Sequence, residues 1–211
     1  MSARSLPKCR GEAPSPAFQS SLREVLMDRR KLEHLGFALS LGTVAACAHT
    51  PSPTDRIATA SAAIMSASGE ERGIAQIWQD RDNVVHVELQ LTGLPRGPHG
   101  IHFHATGKCD PRGSTPFASA GAHFNPLGRQ HGLDNRAGPH AGDAPNFTVS
   151  ADGHGNASFT TNRVSLTEGS TSLFDADGSA IVIHASADDQ LSQPSGNSGG
   201  RIACGVVSRD T

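Results

Sequence analysis

Gly100-Ile101-His102-Phe103-His104 is the stretch on which the reading of this chain turns. Aromatic and β-branched residues alternating with histidine read as a strand, and successive side chains of a strand point to opposite faces. His102 and His104 therefore share one face, and Ile101 and Phe103 share the other. Two imidazoles on one face make half of a metal site. Farther along stand His123, His131, His140, Asp143 and His184, each in a Gly-rich or strand-end context. A lone histidine on a strand is ordinarily structural. A same-face pair followed by a series of His and Asp in ordered contexts points to metal.

The strand pattern extends outward in both directions. Ala60–Ser66, Gly73–Gln79 and Val84–Leu91 are apolar or alternating runs. They are punctuated by turns at Gly69-Glu70-Glu71 and Asp80-Arg81-Asp82-Asn83. In the third run Val85, Val87, Leu89 and Leu91 share a face. His86, Glu88 and Gln90 share the opposite one, which places His86 on the solvated side. Asn146–Ser150 and Ala157–Thr161 flank a turn carrying His154. Ala180–His184 is a buried apolar strand that ends in His184, and Arg201–Val207 is the last strand. Short strands at close spacing predict an all-β, antiparallel Greek-key sandwich or barrel of immunoglobulin-like architecture. Two long loops interrupt it, some forty residues after His104 and the stretch 185–200. Loops of this length inside a compact domain are expected to be functional.

Composition agrees. Among 211 residues there are 23 Gly, no Tyr and 11 His. High Gly with modest apolar content suits short strands and long ordered loops better than a helical bundle. The formal net charge of −2 gives no basic excess directed at nucleic acid. The charge is uneven: residues 1–46 balance at +3 and residues 47–211 at −5.

The N-terminal part reads as an address. Residues 1–26 lack periodicity and carry Pro7, Pro14 and Pro16, and Met27 is an alternative start. Arg29-Arg30-Lys31 precedes the apolar run Leu35–Ala46, too short to span a bilayer and of the right length for a signal-peptide core. Val44-Ala45-Ala46-Cys47 is similar to the lipobox of bacterial lipoproteins, which makes Cys47 a candidate lipidation site; an ordinary signal peptide is the alternative. The expected organisation is a leader at 1–26, a signal peptide at 27–46, a lipobox cysteine and Pro/Thr/Ser-rich linker at 47–59, and one domain at 60–211. The expected location is the bacterial cell envelope or periplasm, with membrane contact only through lipid at Cys47. Cys109 and Cys204 lie within the domain. In an exported protein they read as a disulfide pair, and in a cytosolic one as two free thiols.

The motifs Gly100–His104, Ala120-Gly121-Ala122-His123-Phe124-Asn125-Pro126, Arg129–Gly132, Pro139–Asp143, Val182–Ala185 and Gly200–Val206 occur in one order. In that order they resemble the copper/zinc superoxide dismutases, from about Ala60 to Val207. The resemblance implies His102, His104, His123 and His184 as copper ligands. It implies His123, His131, His140 and Asp143 as zinc ligands, with His123 bridging the metals. Imidazole suits both ions, and three His with one Asp suit tetrahedral zinc. Asp188 matches a carboxylate that orients a ligand imidazole from each set. Arg201 matches an active-site arginine that draws a small anion toward copper. Cys109 and Cys204 match the family disulfide, and His99 matches a non-ligand histidine.

The implied activity is dismutation of superoxide to dioxygen and hydrogen peroxide by alternate reduction and oxidation of copper. Zinc is structural and His123 handles a proton. A non-catalytic copper or zinc carrier on the same scaffold is the competing reading, and completeness of the ligand set with Arg201 speaks against it. Zinc hydrolysis is disfavoured because four protein ligands leave no open position. Two departures stand out. The segment Gln190–Ser195 has no Lys or Glu, which removes the charged steering loop of the eukaryotic enzymes. Cys109 follows His104 closely, as in bacterial members. A homodimer is compatible with the resemblance, but the eukaryotic dimer surface does not carry over.

Overall fold

The computed structural model of the protein describes residues 55–211. The leader, the apolar run at 35–46, Cys47, His49 and the linker up to residue 54 lie outside the described residues. Ten strands follow: β1 Arg56–Ser66, β2 Glu71–Asp80, β3 Val85–Leu91, β4 Gly97–His99, β5 Ile101–His104, β6 Phe147–Val149, β7 Gly155–Thr161, β8 Ala180–His184, β9 Arg201–Val206 and β10 Ser208–Arg209. Every ladder is antiparallel. The sheet runs β4-β6-β7-β3-β2-β1-β9-β8-β5, with β10 added to β1. Its two ends, β4 and β5, are consecutive in the chain and separated only by Gly100. The sheet therefore curls until its ends meet across one residue, giving a nearly closed barrel with Greek-key crossings from β3 to β4 and from β7 to β8.

Alternation explains the inner wall. Val85, Val87, Leu89 and Leu91 of β3 are buried while Glu88 and Gln90 are exposed. The core continues through Ile64, Ile77, Ile101, Phe103, Ile181 and Ile183. In β5 and β8, however, every residue is buried. A second, outer cluster of Phe117, Ala120, Ala180, Val182 and Cys204 accounts for this in β8. Ile181 and Ile183 face the barrel while Ala180 and Val182 face the loop that covers it. The loop is pinned by the Cys109–Cys204 disulfide. In β5, His102 pairs with Val182 and His104 with Ala180. The two histidines thus lie on the outer face, under the loop.

Three expectations are adjusted. The first strand begins at Arg56 rather than near Ala60, where Arg56 pairs with Asp80 across the ladder and its guanidinium lies 4.2 Å from the Trp78 ring centroid. His86 is not simply solvated: its ring stacks on Trp78 at 5.1 Å, and its Nε2 is 2.8 Å from Asp80 Oδ2. A third long connection, 162–179, joins β7 to β8. The buried Gln79 orders it by accepting from Leu166 N (2.7 Å), and Leu166 and Leu173 are buried beneath it.

The disulfide closes a separation of 95 residues and holds the loop over the outer face of β8. Replacing Cys109 and Cys204 by serine is expected to lower stability by about 2–5 kcal/mol. Urea unfolding of the metal-free protein checks this, and an unchanged midpoint would show that the loop is held by other contacts.

Candidate metal centre

The long loop 105–146 contains almost no regular structure, yet its ligand-bearing parts are placed by backbone pairing. Ala105 N donates to Ala122 O (2.9 Å), Phe124 N to Phe103 O (2.8 Å), Phe103 N to Gly142 O (2.9 Å), and Gly142 N to Phe124 O (2.8 Å). The loop thereby adds two fragments to β5, with isolated bridges His104–His123 and His102–Asp143. Gly142 is required for this approach: a Cβ there would stand 2.3 Å from Phe103 O. From the other side, β8 ends at His184, paired through a bulge with Arg201 at the start of β9.

Two groups of side chains converge. The first is His102, His104, His123 and His184, all buried, each offering a ligand atom within 4.8 Å of the others. Their hydrogen bonds select which nitrogen is offered. His102 Nε2 is 2.7 Å from Asp188 Oδ2, His104 Nδ1 is 3.0 Å from Gly121 O, and His184 Nδ1 is 3.2 Å from Gly199 O. A proton on each of those nitrogens leaves His102 Nδ1, His104 Nε2 and His184 Nε2 as bare lone pairs. Together with His123 Nε2 these atoms are buried and have no hydrogen-bond partner. Four unpaired buried acceptors in one place are costly in a protein interior unless something binds them. A soft-to-borderline cation satisfies all four at once.

The second group is His123, His131, His140 and Asp143. Asp143 Oδ1 lies 2.9 Å from His123 Nδ1, 2.9 Å from His131 Nδ1 and 3.4 Å from His140 Nδ1. Its Oδ2 accepts from Gly132 N (2.8 Å) and His140 N (2.9 Å), which fixes the carboxylate. Three imidazole nitrogens and one carboxylate oxygen make an N₃O donor set of the kind that suits four-coordinate zinc. His123 belongs to both groups, with Nδ1 directed to the second and Nε2 to the first. Asp188 joins them again: Oδ2 meets His102 and Oδ1 lies 3.0 Å from His131 Nε2. It is held in turn by Asn146, which donates to Asp188 O and accepts from Asp188 N, each at 2.8 Å. Gly196 is also needed here, since a Cβ at that position would lie 1.7 Å from Asp188 Oδ1.

The electrostatics differ between the groups. Burial depresses His123 to about 4 and His184 to about 3. Burial also lowers His102 and His104. These imidazoles are neutral, as metal ligation requires. Burial would depress His131 as well, but its hydrogen bonds to Asp143 and Asp188 hold it up at about 9. Burial acts on Asp143 and Asp188 in the opposite sense, and their histidine partners overcome it, keeping both below the usual carboxylate range.

Arg201 stands at the mouth. Nη1 donates to Phe117 O and Nη2 to Gly121 O, both at 2.6 Å. No carboxylate lies within 4.0 Å of it among the described residues. It shares a cavity of about 400 Å³ with His104, His123, His140, His184 and Asn125. Pro194 and Ser195 are the residues that the segment 190–195 contributes to that lining, and both are uncharged.

The structure brings together His102, His104, His123, His131, His140, His184, Asp143 and Asp188. His99 is a hydrogen-bonding residue, with Nδ1 2.7 Å from His184 O and Nε2 2.7 Å from Pro95 O. His154 is exposed in its turn. Three supports were not anticipated. Asn146 anchors Asp188. Gln193 clamps His131, accepting from its N (2.8 Å) and donating to its O (3.0 Å). Arg163 Nη2 donates to Asp143 O at 2.6 Å. Each acts through the backbone of a distant residue, so no local spacing announces it.

Comparison with known proteins gives a consistent picture. The family described as copper/zinc superoxide dismutase (SODC) matches residues 71–207. A superoxide dismutase [Cu-Zn] of Deinococcus radiodurans is 41% identical over 181 residues, 80% of this chain and 92% of its own. One from Aquifex aeolicus is 43% identical over 146 residues, 68% of this chain and 84% of its own. Among solved structures, a superoxide dismutase-like protein from Bacillus subtilis superposes with TM-score 0.64 at 38% identity, covering 69% of this chain and 96% of that one. The enzyme from Brucella abortus shares the fold at TM-score 0.58 and 23% identity, covering 70% of this chain and 98% of its own.

The position of His131 has a measurable consequence. In the metal-free protein at pH 7 it carries a proton that must leave before Nδ1 can ligate. Zinc binding at pH 7 should therefore release about one proton, falling toward none well above pH 9. Calorimetry in buffers of different ionisation enthalpy measures it. A raised histidine also stabilises the metal-free fold below pH 6.5, and that contribution should disappear as pH rises through about 9.

Proposed function

This chain belongs to the copper/zinc superoxide dismutase family, and on that premise we propose a role for each residue of its metal centre. The protein dismutes superoxide: two superoxide anions and two protons give one dioxygen and one hydrogen peroxide. In our reading copper would be held by His102 Nδ1 and by Nε2 of His104, His123 and His184. Zinc would be held by Nδ1 of His123, His131 and His140 with Asp143 Oδ1. The four buried imidazole nitrogens that no protein group satisfies are the observation that carries this reading. When bound, copper supplies the one-electron chemistry and zinc, which does not change redox state, supplies a fixed positive charge.

The residues do the rest. Asp188 orients His102 and His131 together, so the two ligand sets keep one geometry. His123 lines the cavity; its Nε2 can hold a proton for the reduced substrate only while it is not ligating copper, and Nδ1 stays anchored. Arg201 is pinned by two carbonyl oxygens and carries an uncompensated charge beside His104 and His123. It attracts a small monoanion despite the acidic domain, because the local field and not the net charge guides the approach. A carrier reading gives this arginine no role, since storage of a metal does not call for an isolated cation at an open mouth. It also leaves the cavity unexplained.

The address at the N-terminus supports a lipid-anchored location in the bacterial envelope through Cys47, with the enzyme domain tethered by a Pro-rich linker. Residues 27–46 have the length and charge order of a signal peptide. No helix of the described residues is long and apolar enough to cross a membrane.

Two experiments test these readings. Residues 48–211 loaded with copper and zinc should dismute superoxide rapidly. Arg201→Ala should slow kcat/KM by at least about tenfold and flatten its decline with added salt. Stoichiometric metal binding without turnover would favour the carrier. In cells, Cys47→Ala should move the mature protein from the detergent-soluble membrane fraction to the aqueous one; retention on the membrane would remove the lipid anchor from the account.

A further inference from the structure

Behind the loop that carries His131 and His140 lies a second cavity, of about 250 Å³. It is lined by Leu127, Arg129, Pro139, Asn162, Arg163 and Thr171, among others. Two arginines are among the lining residues, and among the described residues neither guanidinium has a carboxylate within 4.0 Å. Arg163 is half-buried and Arg129 is exposed at the rim. The Arg163 side chain makes a single hydrogen bond, from Nη2 to Asp143 O. Its Nε is buried and makes none. The Arg129 backbone is fixed by Asn125, which accepts from its N (2.9 Å) and donates to its O (2.8 Å), while its side chain makes no hydrogen bond among the described residues. Asn162 and Thr171 add polar groups to the wall.

Among the described residues neither guanidinium charge has a carboxylate partner, and residues 47–211 are acidic on balance. Guanidinium forks match oxyanions of phosphate geometry through paired N–H···O bonds. Two such cations facing one cavity are balanced by one divalent anion, whereas a monoanion leaves a charge over. We propose that the cavity lined by Arg129 and Arg163 is a binding site for a doubly charged, phosphate-size oxyanion, separate from the mouth at Arg201. Arg163 is the inner half of the site, held in place by Asp143 O. Arg129 is the outer half, presented by the Asn125 turn. The proposal rests on these residues and is independent of the catalytic reading.

The test is titration of inorganic phosphate into the copper- and zinc-loaded protein, followed by calorimetry at constant ionic strength made up with chloride. Because Arg201 is itself an anion-attracting group at a cavity mouth, the reference is the Arg201→Gln variant. One saturable phosphate site should survive in that variant. Adding Arg129→Gln should weaken it by about tenfold or more, the loss of one charge-assisted hydrogen-bonding partner. Adding Arg163→Gln should weaken it at least as much. Arg129 is exposed and makes no side-chain hydrogen bond among the described residues, so its variant remains informative if that of Arg163 is unstable. Loss of all saturable binding in Arg201→Gln alone would overturn the proposal. So would an affinity that Arg129→Gln leaves unchanged.

Discussion

Asp188 is bonded at both carboxylate oxygens, one to His102 on a barrel strand and one to His131 in the long loop. Everything distinctive about the centre follows from that pair of hydrogen bonds. A strand residue can be placed by the sheet alone, whereas a loop residue cannot. By gripping both, Asp188 transfers the precision of β5 to a segment without its own secondary structure. Its burial would favour the protonated acid, but the two imidazole partners keep it ionised. Two hydrogen-bonded partners satisfy a buried charge far better than one, and removal of either would strand the carboxylate. Asn146 closes the arrangement by holding the Asp188 backbone through both its amide atoms.

The barrel is arranged to serve this point. Its ends meet at Gly100, immediately before the strand that presents His102 and His104. That strand is covered on its outer face by the loop it serves, so both of its faces are buried. One face packs Ile101 and Phe103 into the hydrocarbon core, and the other packs imidazoles against imidazoles. The outer cluster under Phe117 and the disulfide continues this layer toward Arg201, whose two carbonyl partners, Phe117 and Gly121, belong to the same loop. Loop order, the geometry of the two donor groups and the position of Arg201 are thus parts of one structure. A change that loosens the loop is felt at all three.

Charge is distributed against the average. The body of the protein is acidic, but its paired carboxylates at the centre are buried with histidine, and Arg163 and Arg201 are set apart at cavities. Arg201 faces the ligand histidines, and Arg163 lies behind them with its contact on Asp143. Both donate to backbone carbonyls and not to carboxylates, so each keeps its full charge while being fixed in position. A salt bridge would have fixed them equally well and cancelled the field they project.

The strand alternation was legible because burial imposes a period of two wherever one face meets the core. The same-face placement of His102 and His104, the end position of His184 and the apolar β8 all follow from it. Donor chemistry marked the ligands, since imidazole and carboxylate in Gly-rich contexts have few other uses. The short strands β4 and β10 were invisible, because Pro98 and two or three residues carry no period. The extra length of β1 at Arg56 and the stacking of His86 were missed because their partners, Asp80 and Trp78, are supplied across the sheet. Asn146, Gln193 and Arg163 have ordinary local sequences, Arg129 stands out only as part of the motif around His131, and only the folded chain brings them to Asp188, His131 or a shared cavity. The alternation of strand faces and the identity of the metal donors were thus written in the residues themselves, because both depend on side-chain chemistry and local period. Folding alone settled which nitrogen each histidine offers, which groups hold the ligands still and where the free cations stand, because each depends on a hydrogen-bond partner far away in the chain.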